Sequence, residues 1–314
     1  MLGMGRRIRI WKESGLYHAT FNCIDRAFLL KPSATVNNAV GACLARAVDQ
    51  APLAIHSATT NINHMEVLFS IGRGQLDNAS RFLKKFAGSL AKELNRHYGR
   101  EGHFWSGRAR VEEVVSDARA EHLLGYGACN VVKDGLVERA LHWKGFSTTA
   151  ALLSGEKLKF EYVDRTLWWR LGANRREVDP AAYTKTVELK VRPLPSWQRM
   201  SVGERQARFG RIVKDHEAQA RKEREAEGTG GVMGMERIER VSAFARPKTR
   251  RERSAQPLCH ADTVEQYRAY AAEYREIAGR HREASVAYRG GRLDVEFPAG
   301  TFRPPLISVC QLAV

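Results

Sequence analysis

Between residues 17 and 132 the hydrophobic period switches repeatedly from strand-like to helix-like, and the order of those switches restricts this chain to few folds. Residues 17–29 contain a strand candidate. In 35–49 the apolar residues Val36, Val40, Leu44 and Val48 fall at helical spacing ahead of Pro52. A strand region covers 53–71. Residues 77–98 then set Phe82, Leu83, Phe86, Leu90 and Leu94 on one helical face, which Gly99 and Gly102 terminate. Another strand reads at 111–115, followed by a helix from Asp117, a good N-cap residue, to about Val132. The order β-α-β-β-α-β-α predicts an α+β protein of ferredoxin-like (split βαβ) type, with an antiparallel sheet, an added helix and one sheet face open for a site.

From about residue 153 the pattern changes. Leu167, Trp168 and Trp169 read as irregular, and 191–197, with Pro193 and Pro195, as an extended connector. Ser201 and Glu204 have the spacing of a capping box and open a highly charged helix reaching about Glu227, where 228–234 act as a breaker. Residues 245–253 form a basic linker, and Asp262 is the expected cap of a last helix to about Tyr288, before a tail with Pro298, Pro304 and Pro305. The expected organisation is a domain at 8–155, an irregular connector at 156–200 and a mostly helical, charged extension at 201–314. On the last helix Tyr267, Tyr270 and Tyr274 recur at i, i+3 and i+7, a stripe expected to pack on the body, with base stacking as the alternative.

Lys and Arg number 51 against 35 Asp and Glu, a formal net charge of +16. Such a field draws in polyanions, so nucleic acid is the expected partner, although charge alone does not say which polymer. No run approaches the roughly 20 apolar residues that span a bilayer, so no membrane association is expected. The basic start lacks the apolar stretch of a secretory signal, and a cytoplasmic location is expected. The five cysteines, Cys23, Cys43, Cys129, Cys259 and Cys310, are scattered without a C-x-x-C pair, which argues for reduced thiols over disulfides or a zinc site.

The residues able to do chemistry fall in two elements. In the strand candidate, His64 and Glu66 share a face because strand side chains alternate, and Met65 points the other way with Val67 and Phe69. In the later helix Tyr126 and Asn130 are four residues apart and share a helical face. A hard divalent ion, Mg²⁺ or Mn²⁺, accepts imidazole, carboxylate and amide oxygen, so His64, Glu66 and Asn130 make a sensible ligand set. Arg96, Arg100, Arg108 and Arg110 surround Phe104 and Trp105, a mixture suited to gripping phosphates and stacking an unpaired base. Anchoring of the two aromatics in the core is an equal alternative. His18, His56 and His103 receive no role, since strand histidines are usually hydrogen-bonded in place.

Taken together, Y-H-A-T from Tyr17, N-H-M-E from Asn63, N-R-H-Y-G-R-E-G-H-F-W-S-G-R from Asn95 and Y-G-A-C-N-V-V-K-D-G-L-V from Tyr126 resemble the HUH single-tyrosine transposases, in particular the REP-associated tyrosine transposases. The resemblance covers roughly residues 8 to 155. It implies that the two strand-motif positions, His64 and Glu66, hold a divalent cation with Asn130, and that Tyr126 attacks DNA to give a 5′-phosphotyrosine. The implied substrate is single-stranded or hairpin DNA, cleaved and transferred. Whether the protein works as a monomer or a homodimer is left open. The sequence departs from the family pattern at Glu66, where a second histidine stands, and at Gly125 and Gly127, which flank the tyrosine and weaken a helix. The alternative is a catalytically impaired, domesticated DNA- or RNA-binding protein using the same basic groove.

Overall fold

The computed structural model describes residues 7–171, 179–228, 231–247 and 256–305. The first half follows the expected order: β1 (Leu16–Asn22), α1 (Ala34–Gln50), β2 (Ala54–Thr60), β3 (His64–Ser70), α2 (Leu76–His97), β4 (Arg110–Val114) and α3 (Asp117–Lys133). Beyond it come α4 (Thr149–Ser154), β5 (Leu158–Val163), α5 (Arg165–Leu171), β6 (Thr184–Leu189), α6 (Val202–Ala226), α7 (Met235–Arg240), β7 (Cys259–His260) and α8 (Val264–Arg289). The protein is α+β, with a five-stranded sheet in the order β2-β3-β1-β4-β7. Pairing is antiparallel throughout β2, β3, β1 and β4, whereas β7 joins β4 in parallel.

Each face of the sheet has its own core. On one side Tyr17, Ala19 and Phe21 of β1 and Met65, Val67 and Phe69 of β3 meet Val36, Val40 and Leu44 of α1 and Phe82, Phe86, Leu90 and Leu94 of α2. The expected helical faces are therefore the buried ones, and Met65, Val67 and Phe69 are fully shielded from solvent. On the other side Leu16, Leu68 and Val114 meet Leu123, Leu124, Ala128 and Val131 of α3, and Phe209 and Val213 of α6 complete that layer. The second face is thus covered by α3, not open as the sequence reading had it. A polar strip lies beneath that helix.

Caps and connections differ from expectation in ways that local chemistry explains. Ser116, not Asp117, caps α3, its hydroxyl accepting from the Arg119 N–H at 3.2 Å. Thr263, not Asp262, caps α8, in a capping box with Gln266. The Ser201–Glu204 box opens α6 as expected. The stretch read as an irregular connector holds regular structure: β5 and β6 pair antiparallel from Leu158↔Leu189 to Val163↔Thr184, and α5 starts where Asp164 accepts from the Leu167 N–H at 3.1 Å. The alternation of Leu158, Phe160 and Tyr162 with Lys159 and Glu161 is the strand signal in this stretch. Most of the basic linker, at 248–253, lies outside the described residues, as do part of the breaker, at 229–230, and Cys310. The other four cysteines are buried and free.

The tyrosine stripe packs on the body, as expected, at two of its three positions. The Tyr274 hydroxyl donates to the Ile8 carbonyl at 3.3 Å, and Lys12 Nζ sits 4.9 Å from the Tyr270 ring centre, while Tyr267 remains 41% exposed. Among the described residues no helix is long and apolar enough to cross a membrane.

His56 ties β2 to the segment after β6. Its Nδ1–H donates to the Arg192 carbonyl at 3.0 Å and its Nε2 accepts from the Ser70 hydroxyl at 2.9 Å. Burial pushes this imidazole down from 6.5 to about 4, against the upward pull of the Arg192 and Pro193 carbonyls. The unfolded chain therefore binds a proton that the folded one refuses, so stability is complete above pH 6.5 and falls as pH drops towards about 4. Each such group contributes a slope of up to about 1.4 kcal/mol per pH unit in that window. Melting followed by circular dichroism should show the parent losing stability from pH 6.5 to 4 and His56→Gln losing less; equal slopes would remove His56 as the cause.

Candidate functional site

The pleat of β3 aims His64 and Glu66 at α3, and α3 returns Asn130 to meet them. Asn130 Nδ2 lies 2.9 Å from His64 Nε2 and 3.2 Å from Glu66 Oε1. His64 Nδ1 stands 2.8 Å from Asn63 Oδ1, which can only accept when its own amide is so placed; the ring therefore carries its proton on Nδ1 and presents the Nε2 lone pair to Asn130. Two lone pairs converge on one point, held by an amide N–H₂. A half-turn of the Asn130 amide offers Oδ1 to that same point, giving an imidazole, a carboxylate and an amide oxygen, a set that fits a divalent cation.

The second Glu66 oxygen has a different neighbour. Glu66 Oε2 and His18 Nε2 are 3.8 Å apart, beyond hydrogen-bond length, and both are buried with no hydrogen-bond partner among the described residues. Burial alone would raise the Glu66 carboxyl, but the neighbouring His18 outweighs that cost and holds it below the usual carboxylate range. His18 and Glu112 are direct cross-strand partners between β1 and β4, and β7 adds His260 beside Val114. One ligand atom from each of His18, Glu112 and His260 falls within 4.8 Å of the others. Glu112 accepts from Gln256 Nε2 at 2.6 Å, and burial raises its carboxyl. Burial, with His18 and Arg119 nearby, pushes His260 down to about 3, which keeps it a neutral imidazole. Sequence reading assigned none of these three residues. The His18–Glu112 pairing follows from strand register and was in principle readable; His260 arrives through a two-residue strand that leaves no periodic signal.

Tyr126 lies one turn before Asn130 on α3. Its ring borders a cavity of about 440 Å³ between α3 and α6, with His122, Cys129, Lys133, Asp215 and His216. The His122 ring lies parallel to it at 6.5 Å, and Lys133 Nζ is 5.4 Å from its centre. His64, Glu66 and Asn130 are thus joined by hydrogen bonds, whereas the cavity that Tyr126 borders has none of the three in its lining.

The basic candidates are dispersed. Arg96 pairs with Glu93 at 2.9 Å at the end of α2, on the side of the sheet away from α3. Arg100 donates to Asn95 Oδ1 and the His103 carbonyl, both at 3.3 Å. Arg108 donates to the Arg7 carbonyl at 2.6 Å, and Arg110 stands 3.9 Å from Glu112. Arg108 and Arg110 line a groove of about 540 Å³ with Arg7, Arg9, Tyr270 and Tyr274. Trp105 donates its indole N–H to the Ala87 carbonyl at 2.9 Å and packs on Phe21 and Phe104, so anchoring, the alternative to base stacking, accounts for its placement.

The glycines flanking Tyr126 do not break α3, which is continuous from Asp117 to Lys133. A Cβ at Gly125 would run into Ile212 and the His216 ring, so this glycine lets α6 approach closely. At Gly127 a Cβ would make only ordinary contact, 3.8 Å from Glu66 Oε2 and 3.9 Å from Ser57 Oγ.

No protein-family model matches the chain, and no curated protein does. Among solved structures it is similar to a REP-associated tyrosine transposase bound to a REP hairpin, at 21% identity over 48% of this chain and 86% of that one, with a TM-score of 0.41. It is also similar to a Deinococcus radiodurans R1 protein described as a "putative transposase", at 16% identity over 40% of this chain and 94% of that one, with a TM-score of 0.28.

Gly125→Ala should destabilise the fold by about 1–3 kcal/mol through overpacking against α6. Gly127→Ala should be neutral or gain up to about 1 kcal/mol from helix propensity. Chemical denaturation of both variants beside the parent checks the contrast, and equal effects would mean that α6 does not rest on Gly125.

Proposed function

We propose that this protein cleaves and rejoins single-stranded or hairpin DNA, with Tyr126 as the nucleophile and a divalent cation, Mg²⁺ or Mn²⁺, held by His64, Glu66 and Asn130. The observation that carries the reading is the hydrogen-bonded meeting of these three side chains one helical turn beyond Tyr126, in a chain whose sequence motifs resemble single-tyrosine transposases.

A phenol with an ordinary pKa near 10 is a weak nucleophile at neutral pH, so position and surrounding charge must supply the rate. The cation, when bound, polarises the scissile phosphate and offsets charge developing on its oxygens. Tyr126 Oη forms the new bond to phosphorus and the 3′-oxygen of the preceding nucleotide leaves, giving a 5′-phosphotyrosine and a free 3′-hydroxyl. His122, held down in pKa by burial and by Arg119 and Lys133, supplies a neutral base on the same helical face, and Lys133 supplies a cation beside the ring. Because the phosphotyrosine retains the bond energy, attack by a second 3′-hydroxyl reseals the strand and releases Tyr126 without ATP. Arg100, Arg108 and Arg110, with the net charge of +16, grip the phosphate backbone.

A second reading has its own support: the Asn130 amide N–H₂ already fills the point between His64 and Glu66, and a carboxylate stands where the family has its second histidine. On that reading the protein binds DNA or RNA without cutting it. Denaturing gels of a labelled hairpin oligonucleotide incubated with Mg²⁺ or Mn²⁺ separate the two. The cleavage reading expects a covalent protein–DNA adduct with the parent and none with Tyr126→Phe. Salt-sensitive binding without any adduct from the parent would leave only the binder.

A further inference from the structure

His18 Nε2, His260 Nε2 and Glu66 Oε2 are buried under α3 with no hydrogen-bond partner among the described residues. Leaving such groups unsatisfied costs about 1–3 kcal/mol each, which is a reason to look for what they bind. Two of them belong to the His18, Glu112 and His260 group, whose donor atoms approach within 4.8 Å. We infer that His18, Glu112 and His260 form a second cation site, distinct from the His64, Glu66 and Asn130 set, and that its ligand is a borderline transition-metal ion of the Zn²⁺ class.

The donor chemistry selects the ion. Two imidazoles and a carboxylate are nitrogen-rich for Mg²⁺ or Ca²⁺ but typical of Zn²⁺, whose bonds to such donors run about 2.0–2.2 Å. Tetrahedral bonds of that length place donors roughly 3.5 Å apart, so binding draws the three side chains inward from their present spacing. Glu66 Oε2, facing His18 at 3.8 Å, adds a second negative charge at the edge of the site and helps balance the ion. An ion bridging β1, β4 and β7 would also pin the two-residue strand β7 to the sheet, because His260 is the only ligand carried by that strand.

The site is independent of DNA cleavage, and its test reads metal alone. Full-length protein stripped with a chelator is titrated with Zn²⁺ by calorimetry against a competing chelator, and with Co²⁺ by visible absorption. The expected result is one tight equivalent that survives in His64→Ala/Asn130→Ala within about twofold in affinity, and is weakened at least about tenfold by His260→Asn or His18→Asn. Zn²⁺ should raise the melting temperature of the parent and not of these histidine variants. If the histidine variants fail to fold, Glu112→Gln must lower Zn²⁺ affinity and change the Co²⁺ spectrum. No bound Zn²⁺ in the parent, binding abolished by His64→Ala/Asn130→Ala, or unchanged affinity and spectrum in Glu112→Gln would each overturn the inference.

Discussion

The closure of α3 over the sheet is the constraint on which the rest of the molecule turns, because that helix buries polar side chains as well as apolar ones. Leu123, Leu124, Ala128 and Val131 supply the apolar contact, and Asn130 spans His64 and Glu66 with its amide. A buried carboxylate beside a half-buried imidazole is tolerable only when something answers their lone pairs, and a single amide answers both. The same requirement leaves a remainder: His18 Nε2, His260 Nε2 and one Glu66 oxygen share the strip with no hydrogen-bond partner among the described residues. Polar burial of this kind is costly to a fold that does not use it.

The C-terminal half is built into this arrangement. α6 lies on α3, close enough at Gly125 to exclude a side chain there. Its buried Arg224 donates to the Val132 carbonyl at 2.7 Å and pairs with Glu138 at 3.1 Å, which fixes the end of α3. β7 adds a parallel edge to an otherwise antiparallel sheet, and α8 rests on the N-terminal segment through Tyr270 and Tyr274. The cavity beside Tyr126 is walled by both halves, since His216 and Asp215 come from α6. Packing is thus continuous between α3 and α6.

Local signals were legible where they repeat. The alternation in β3 told which way His64, Glu66 and Met65 point, and the 3.6-residue spacing told which faces of α1 and α2 are buried. Signals carried by one or two residues were harder to weigh. Ser116 and Thr263 displaced neighbouring aspartates as caps, and Asp164 started a helix in a stretch that looked irregular. Trp105 shows a further limit: beside several arginines it reads as a base-stacking platform, yet its indole N–H is bonded to Ala87 and its ring lies against Phe21 and Phe104.

The sequence by itself determined the element order, the buried faces of α1 and α2, the positive charge, and the shared faces of His64 with Glu66 and of Tyr126 with Asn130. These are consequences of backbone periodicity, which acts over a few residues. Only the tertiary structure decided that α3 roofs the polar strip, that the Tyr126 ring borders α6, and that His260 joins His18 and Glu112. Those placements depend on contacts between segments far apart in the chain, where the energy comes from packing and desolvation, and no local pattern encodes which distant partner will supply it.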